Sequence, residues 1–65
     1  MSPKRLSAML KKLRGDMKQE ALAKRAKVSR GYLAALEAGH KKNPSLAVLQ
    51  RLAKALGVPV TELLE

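Results

Sequence analysis

The chain has no cysteine, no tryptophan and no phenylalanine, and its one aromatic side chain is Tyr32. Without cysteine there is no disulfide and no thiolate metal ligand, so stability has to come from packing and hydrogen bonds. Acidic residues are equally scarce, five against fourteen lysines and arginines, and His40 is the single histidine. The acids are scattered and no glycine-rich phosphate loop occurs, so no catalytic constellation can be assembled. His40 has no second ligand near it in sequence, and neither a metal nor a cofactor is expected. No apolar run approaches the ~20 residues of a membrane span. The basic N-terminus lacks the apolar stretch of a signal peptide, which makes cytoplasmic residence the expectation. The near-absence of aromatic rings also argues against RNA or single-stranded nucleic acid as a ligand, since those binders stack bases on several aromatics.

What the chain does have is positive charge, +9 in all, and it is unevenly spread. Residues 1–17 carry five basic side chains and one acidic, residues 18–42 seven and two, residues 43–65 two and two. The first two stretches are therefore +4 and +5 and the last is neutral. A basic domain with its charge at one end suggests a polyanionic partner. The same charge could serve only as a solvated, solubilising surface, so charge alone does not decide.

Sixty-five residues make one domain at most, expected to span 1–65, and a chain this short buries only about 60% of its unfolded surface. Hydrophobic periodicity predicts five helices and no strand. The first covers about 3–14, with Ser2 as N-cap, Pro3 in the first turn and Leu6, Met9, Leu10 and Leu13 on one stripe. Gly15 and Asp16 end it. The second covers about 18–26 and the third about 29–38, stopped by Gly39. Pro44 disfavours helix at the residue before it, leaving His40 to Pro44 as a loop. Ser45 caps a fourth helix over about 45–56, with Leu46, Leu49, Leu52, Ala53 and Leu56 inward, and Gly57 terminates it. Thr61 opens a short fifth helix over 61–65, with Leu63 and Leu64 docking on the core.

The rest of the chain is organised around residues 19–36, QEALAKRAKVSRGYLAAL. Leu22, Ala23 and Ala26 form the apolar side of one short helix, and Leu33 and Leu36 that of the next. Between them lie Lys27, Val28 and Ser29. Two short helices around a turn of three to four residues form a helix-turn-helix. Ala23 suits a close crossing of the two backbones, Val28 can plug the corner, and Ser29 is a preferred N-cap. The stretch resembles the helix-turn-helix of the phage repressor and Cro family of bacterial regulators, matching it at Gln19, Leu22, Ala23, Ala26, Val28, Ser29, Leu33, Leu36, Glu37 and Gly39. The resemblance continues through Asn43-Pro44-Ser45-Leu46 and Leu52-Ala53-Lys54-Ala55-Leu56-Gly57-Val58 to Leu63-Leu64.

The resemblance implies an all-α, five-helix lambda-repressor-like domain that binds double-stranded DNA and regulates transcription, as a repressor or autoregulator, and so stays with the nucleoid. The expected partner state is a homodimer on a palindromic site. Gln19 matches the family's glutamine that binds phosphate and braces the recognition helix. An acidic residue at the position of Glu37 pairs with a basic residue of the first helix, for which Arg14, Lys11 and Lys12 are candidates. Lys27 stands where the family usually has glycine, at a turn position that tends to positive φ. The connection Gly15 to Lys18 is shorter than usual.

With Leu33 and Leu36 inward, the opposite face of the third helix carries Gly31, Ala34, Ala35 and Ala38, flanked by Arg30 and Tyr32. This face enters the major groove in a working helix-turn-helix. It holds no Gln, Asn or Arg at its centre for bidentate base contacts. Arg30 is the candidate base reader. Ser29 and Tyr32 can reach phosphates or bases through their hydroxyls, although Tyr32 suits packing equally well. Lys18, Gln19, Lys41, Lys42 and Asn43 are candidates for the DNA backbone, where contacts position the protein without specifying sequence. Lys24, Arg25 and Lys27 are read as solvated. Two alternatives differ in kind. One is a protein-interaction module that uses the alanine-rich face to pack another helix. The other is a cationic membrane-active peptide, which the regular caps and distributed core argue against.

Overall fold

A computed structural model of the protein describes residues 3–41 and 44–64. Its helices are α1 (Pro3–Arg14), α2 (Gln19–Ala26), α3 (Arg30–Glu37), α4 (Leu46–Leu56) and α5 (Thr61–Leu64), with no strand among the described residues. The expected starts at 18, 29 and 45 fall one residue inside the loops. Lys18, Ser29 and Ser45 have extended backbones and act as N-caps, while Ala38 closes α3 as its C-cap. Ser29 Oγ accepts from the Tyr32 amide at 3.0 Å, and Ser45 Oγ from the Val48 amide at 3.2 Å. Each bond satisfies an amide that the first helical turn leaves unpaired. The expected N-cap at Ser2 and the expected last helical residue, Glu65, lie outside the described residues.

α2 packs against α3 on one side and α4 on the other; α1 packs against α3 and α5, and α4 also meets α5. One core joins all five helices. Leu6, Leu10, Leu22, Leu33, Leu36, Leu49, Leu52 and Leu63 are fully buried in it, together with Ala23, Ala26 and Ala53. The alanines, on α2 and α4, add little bulk and let backbones approach closely. Met9, Leu13, Val28, Leu56, Val58 and Val60 pack at the core's edge.

Two leucines expected inside lie outside. Leu46 is 54% exposed and Leu64 38%. Leu46 begins α4, and helical side chains lean toward the N-terminus, so it projects beyond the packed length of the helix. α5 is a single turn of four residues. With Leu63 inward, Leu64 stands about 100° further round, where a helix this short has no second neighbour.

The turn between α2 and α3 has the backbone that the resemblance implied. Lys27 lies at φ 58°, the one non-glycine residue at positive φ among those described. Its amide donates to Lys24 O at 3.2 Å, and the Val28 amide donates to Ala23 O at 3.0 Å. These two bonds close a helix end in the pattern that favours glycine. Gly57 closes α4 the same way, at φ 72°. Left-handed backbone costs an L-residue about 1–2 kcal/mol, and glycine returns about 0.5–1 kcal/mol of that through its freer unfolded chain. Lys27→Gly is therefore expected to stabilise the protein by about 0.5–1 kcal/mol, raising Tm by a few degrees, while Lys27→Ala leaves it unchanged. Thermal melts by circular dichroism check this. A neutral or destabilising glycine would show that the strain at Lys27 is already relieved.

Candidate nucleic-acid interface

The third helix is held at both ends. At its start Ser29 supplies the cap. At its end Glu37 is buried, 3% exposed, and draws in two other helices, α1 and α2. Arg14 of α1 donates Nε to Glu37 Oε2 and Nη2 to Oε1, each at 2.8 Å. Gln19 Nε2 donates to Oε1 at 3.2 Å. The Ser7 hydroxyl donates to the Glu37 backbone carbonyl. The expected pairing thus selects Arg14 over Lys11 and Lys12, both of which are exposed. Only arginine offers a planar fork that meets both carboxylate oxygens. Donating to the Glu37 carboxylate holds the Arg14 guanidinium above its ordinary pKa, against a smaller opposing effect of burial. A raised pKa contributes stability fully below the unfolded value, so this pair loses its arginine charge only in strong alkali.

Arg14 also reaches sideways, Nη1 donating to Met17 O at 2.7 Å, which ties the short Gly15–Lys18 connection to the same centre. Sequence reasoning missed Ser7. It sits one residue from Leu6 at the edge of the apolar stripe of α1, where a small polar residue can hide a hydroxyl between crossing helices. It also missed Arg51, whose Nε donates to the carbonyl of Ala26, the last residue of α2, at 3.1 Å.

With Leu33, Leu36 and Glu37 inward, the outer face of α3 is bare. Gly31 and Ala38 are exposed, and Ala34 and Ala35 are half-buried. Arg30 is exposed at the helix start. Tyr32 is half-buried at the core's edge, and Lys41 Nζ stands 5.7 Å from its ring centroid. This cation–π contact joins the loop after α3 to the helix itself, so Lys41 lies beside the α3 face. Gln19 faces Glu37, while Lys18 next to it is exposed and offers no side-chain cap to α2. The first-turn amides of α2 thus lack the side-chain acceptor that α3 and α4 have, an arrangement suited to an anion. The candidate residues Lys42 and Asn43 lie outside the described residues.

Two helices joined at a tight turn, the second pinned through its last turn and presenting a small-residue face framed by cations, define a helix-turn-helix domain. The sequence profile of the helix-turn-helix family matches residues 6–63, and the chain belongs to that family in its Cro/C1-type form. It is a DNA-binding transcriptional regulator. Two solved structures are similar. The restriction-modification controller protein C.AhdI from Aeromonas hydrophila is 32% identical over 94% of both chains, with a TM-score of 0.87. The clp gene regulator ClgR from Corynebacterium glutamicum is 36% identical over 95% of this chain and 67% of its own, with a TM-score of 0.86. No curated protein matches as a sequence relative. Among the described residues no helix is long and apolar enough to cross a membrane, and no group of three or more acids or histidines could hold a metal ion.

Proposed function

We propose that this regulator inserts α3 into the major groove of duplex DNA and works as a homodimer on a palindromic site. Support comes from one observation above all: the exposed side of α3 is occupied by Gly31, Ala34, Ala35 and Ala38, with Arg30 and Lys41 at its margins. So small a face permits close approach to base edges and contributes thymine-methyl contacts at most. Arg30 carries direct readout. Lys18, Gln19, Ser29, Tyr32 and Lys41 contact phosphate, and the sequence adds Lys42 and Asn43 as further candidates. Sequence preference then depends on Arg30 and on DNA shape, and affinity on phosphate contacts that weaken steeply with salt. A single α3 spans few base pairs, and two-fold pairing supplies the rest. Val58 and Val60, half-buried, and Leu64, exposed, form the pairing surface.

The test is selection from a random duplex library across a salt series, with the bound fraction sequenced. A palindrome with half-sites about one helical turn apart supports the proposal. Salt-sensitive binding without enrichment removes specific readout, and no binding at low salt removes the DNA face and favours a protein partner for it. On the selected site, Arg30→Ala is expected to reduce the ratio of specific to nonspecific binding about tenfold to a hundredfold, the worth of one bidentate base contact. An unchanged ratio would take the reading role away from Arg30.

A further inference from the structure

We infer that the cleft between the C-terminal ends of α2 and α4 is a binding site for a small oligophosphate, separate from the face of α3. The cleft is an open concavity of about 230 Å³ lined by Arg25, Lys27, Arg51, Lys54 and Ala55. Four of these five residues are cations and none is acidic. The end of each helix carries roughly half a negative charge. Two helix ends therefore offset about one of the four positive charges, and nothing in the lining balances the other three. One cation is fixed in place: Arg51 Nε donates to Ala26 O at 3.1 Å, tying α4 to the end of α2. A guanidinium held through Nε keeps its remaining donors in a rigid fork, which suits phosphate oxygens.

Charge and size together point to the class of ligand. The volume is below the roughly 300–1,000 Å³ of drug-sized pockets, a size that suits a compact, highly charged anion. Two arginines and two lysines around one concavity match a chain of two or three phosphates, either free or borne by a nucleotide. The cleft lies away from the outer face of α3 and meets the DNA edge only at the turn between α2 and α3. Lys54 lies nine residues along α4 from Ser45, about 13 Å at the helical rise, and Arg25 is near the opposite end of α2 from Gln19. Gln19 thus stands at the far end of α2 from the cleft, while Ser29 lies two residues from Lys27 of its lining. Lys27, the left-handed residue of the turn, belongs to the cleft, so an occupant grips the corner from which α3 departs.

The experiment is a titration of the ¹⁵N-labelled chain with sodium tripolyphosphate, followed by amide shifts, beside ATP and an octaglutamate peptide. The expected result is saturable shifts concentrated at residues 25–28 and 51–57. In Arg25→Ser/Lys54→Ser, which alters two exposed side chains, binding should weaken at least about tenfold. Should the double variant fail to fold, Lys54→Ser alone gives the comparison, with a smaller loss. Gly31→Glu, which changes only the α3 face, should leave the titration intact. Tighter binding of ATP than of tripolyphosphate at the same amides identifies a nucleotide as the source, and equal binding a free oligophosphate; both support the site. Shifts spread along α1 and α3 without saturation overturn it, as does unchanged binding in the variant, or an octaglutamate that binds these residues more tightly than either phosphate ligand. None of these readings depends on whether the chain binds DNA.

Discussion

Arg14→Met is expected to destabilise the protein by about 3–5 kcal/mol, a large part of what keeps it folded. A domain of 65 residues has about 3–10 kcal/mol of stability in total. Removing one partner of a buried ion pair costs about 3–5 kcal/mol, because the survivor keeps its charge without its solvent or its counter-ion. Here the survivor is Glu37, 3% exposed, left with Gln19 Nε2 as its one side-chain donor. The reverse change is milder. Arg14 is 20% exposed, and its long side chain can carry the guanidinium toward water when Glu37 is lost. Arg14→Met should therefore cost more than Glu37→Leu, and the double variant less than Arg14→Met alone, since apolar replacement of both members removes the unpaired charge. Urea melts of the three variants give the ranking. A stably folded Arg14→Met, with its midpoint shifted by less than the equivalent of about 1 kcal/mol, would show that Glu37 finds water or another donor.

That centre also marks how far the sequence could be read. The i, i+3, i+4 spacing of leucines, the serine caps and the glycine stops depend on neighbours within one turn, and they place all five helices to within a residue or two. Positive φ at Lys27 was legible through the resemblance, which implies a glycine-type position at that point of the turn. The partner of Glu37 was not. Arg14, Lys11 and Lys12 differ by small rotations of α1, and only the docking angle of α1 on α3 selects among them. Ser7 and Arg51 were missed because their acceptors are backbone carbonyls 30 and 25 residues away, contacts that no local pattern encodes. Leu46 and Leu64 have the right periodicity and the wrong surroundings: each lies at a helix end, beyond the reach of a neighbouring helix. The basic cleft escaped notice for a related reason, since its two halves are some 26 residues apart along the chain.

Gly31→Glu is expected to leave the fold as stable as before, or more so, and to weaken DNA binding at least about a hundredfold. The two halves of that expectation have separate causes. Gly31 lies in the first turn of α3, without positive φ, and a Cβ built on it meets nothing within 4 Å. Glycine in a helix costs about 0.8–1 kcal/mol relative to alanine, and an acidic side chain in a first turn is favoured by the helix dipole. Nothing inside the protein therefore rewards glycine at this position. Its advantage has to come from something outside that approaches α3 closely, and on the proposed reading that object is the floor of the major groove. A glutamate there adds bulk on the approaching face and sets a negative charge beside phosphates at an interface that depends on cations. Gly31→Ala separates the terms, raising stability by about 1 kcal/mol with a much smaller loss of binding. The pair of measurements is a thermal melt and an anisotropy titration on the selected duplex. A melt that rises while binding collapses assigns Gly31 to the DNA interface. Binding that survives Gly31→Glu would move the groove-facing surface off this side of α3, and with it the role proposed for Arg30.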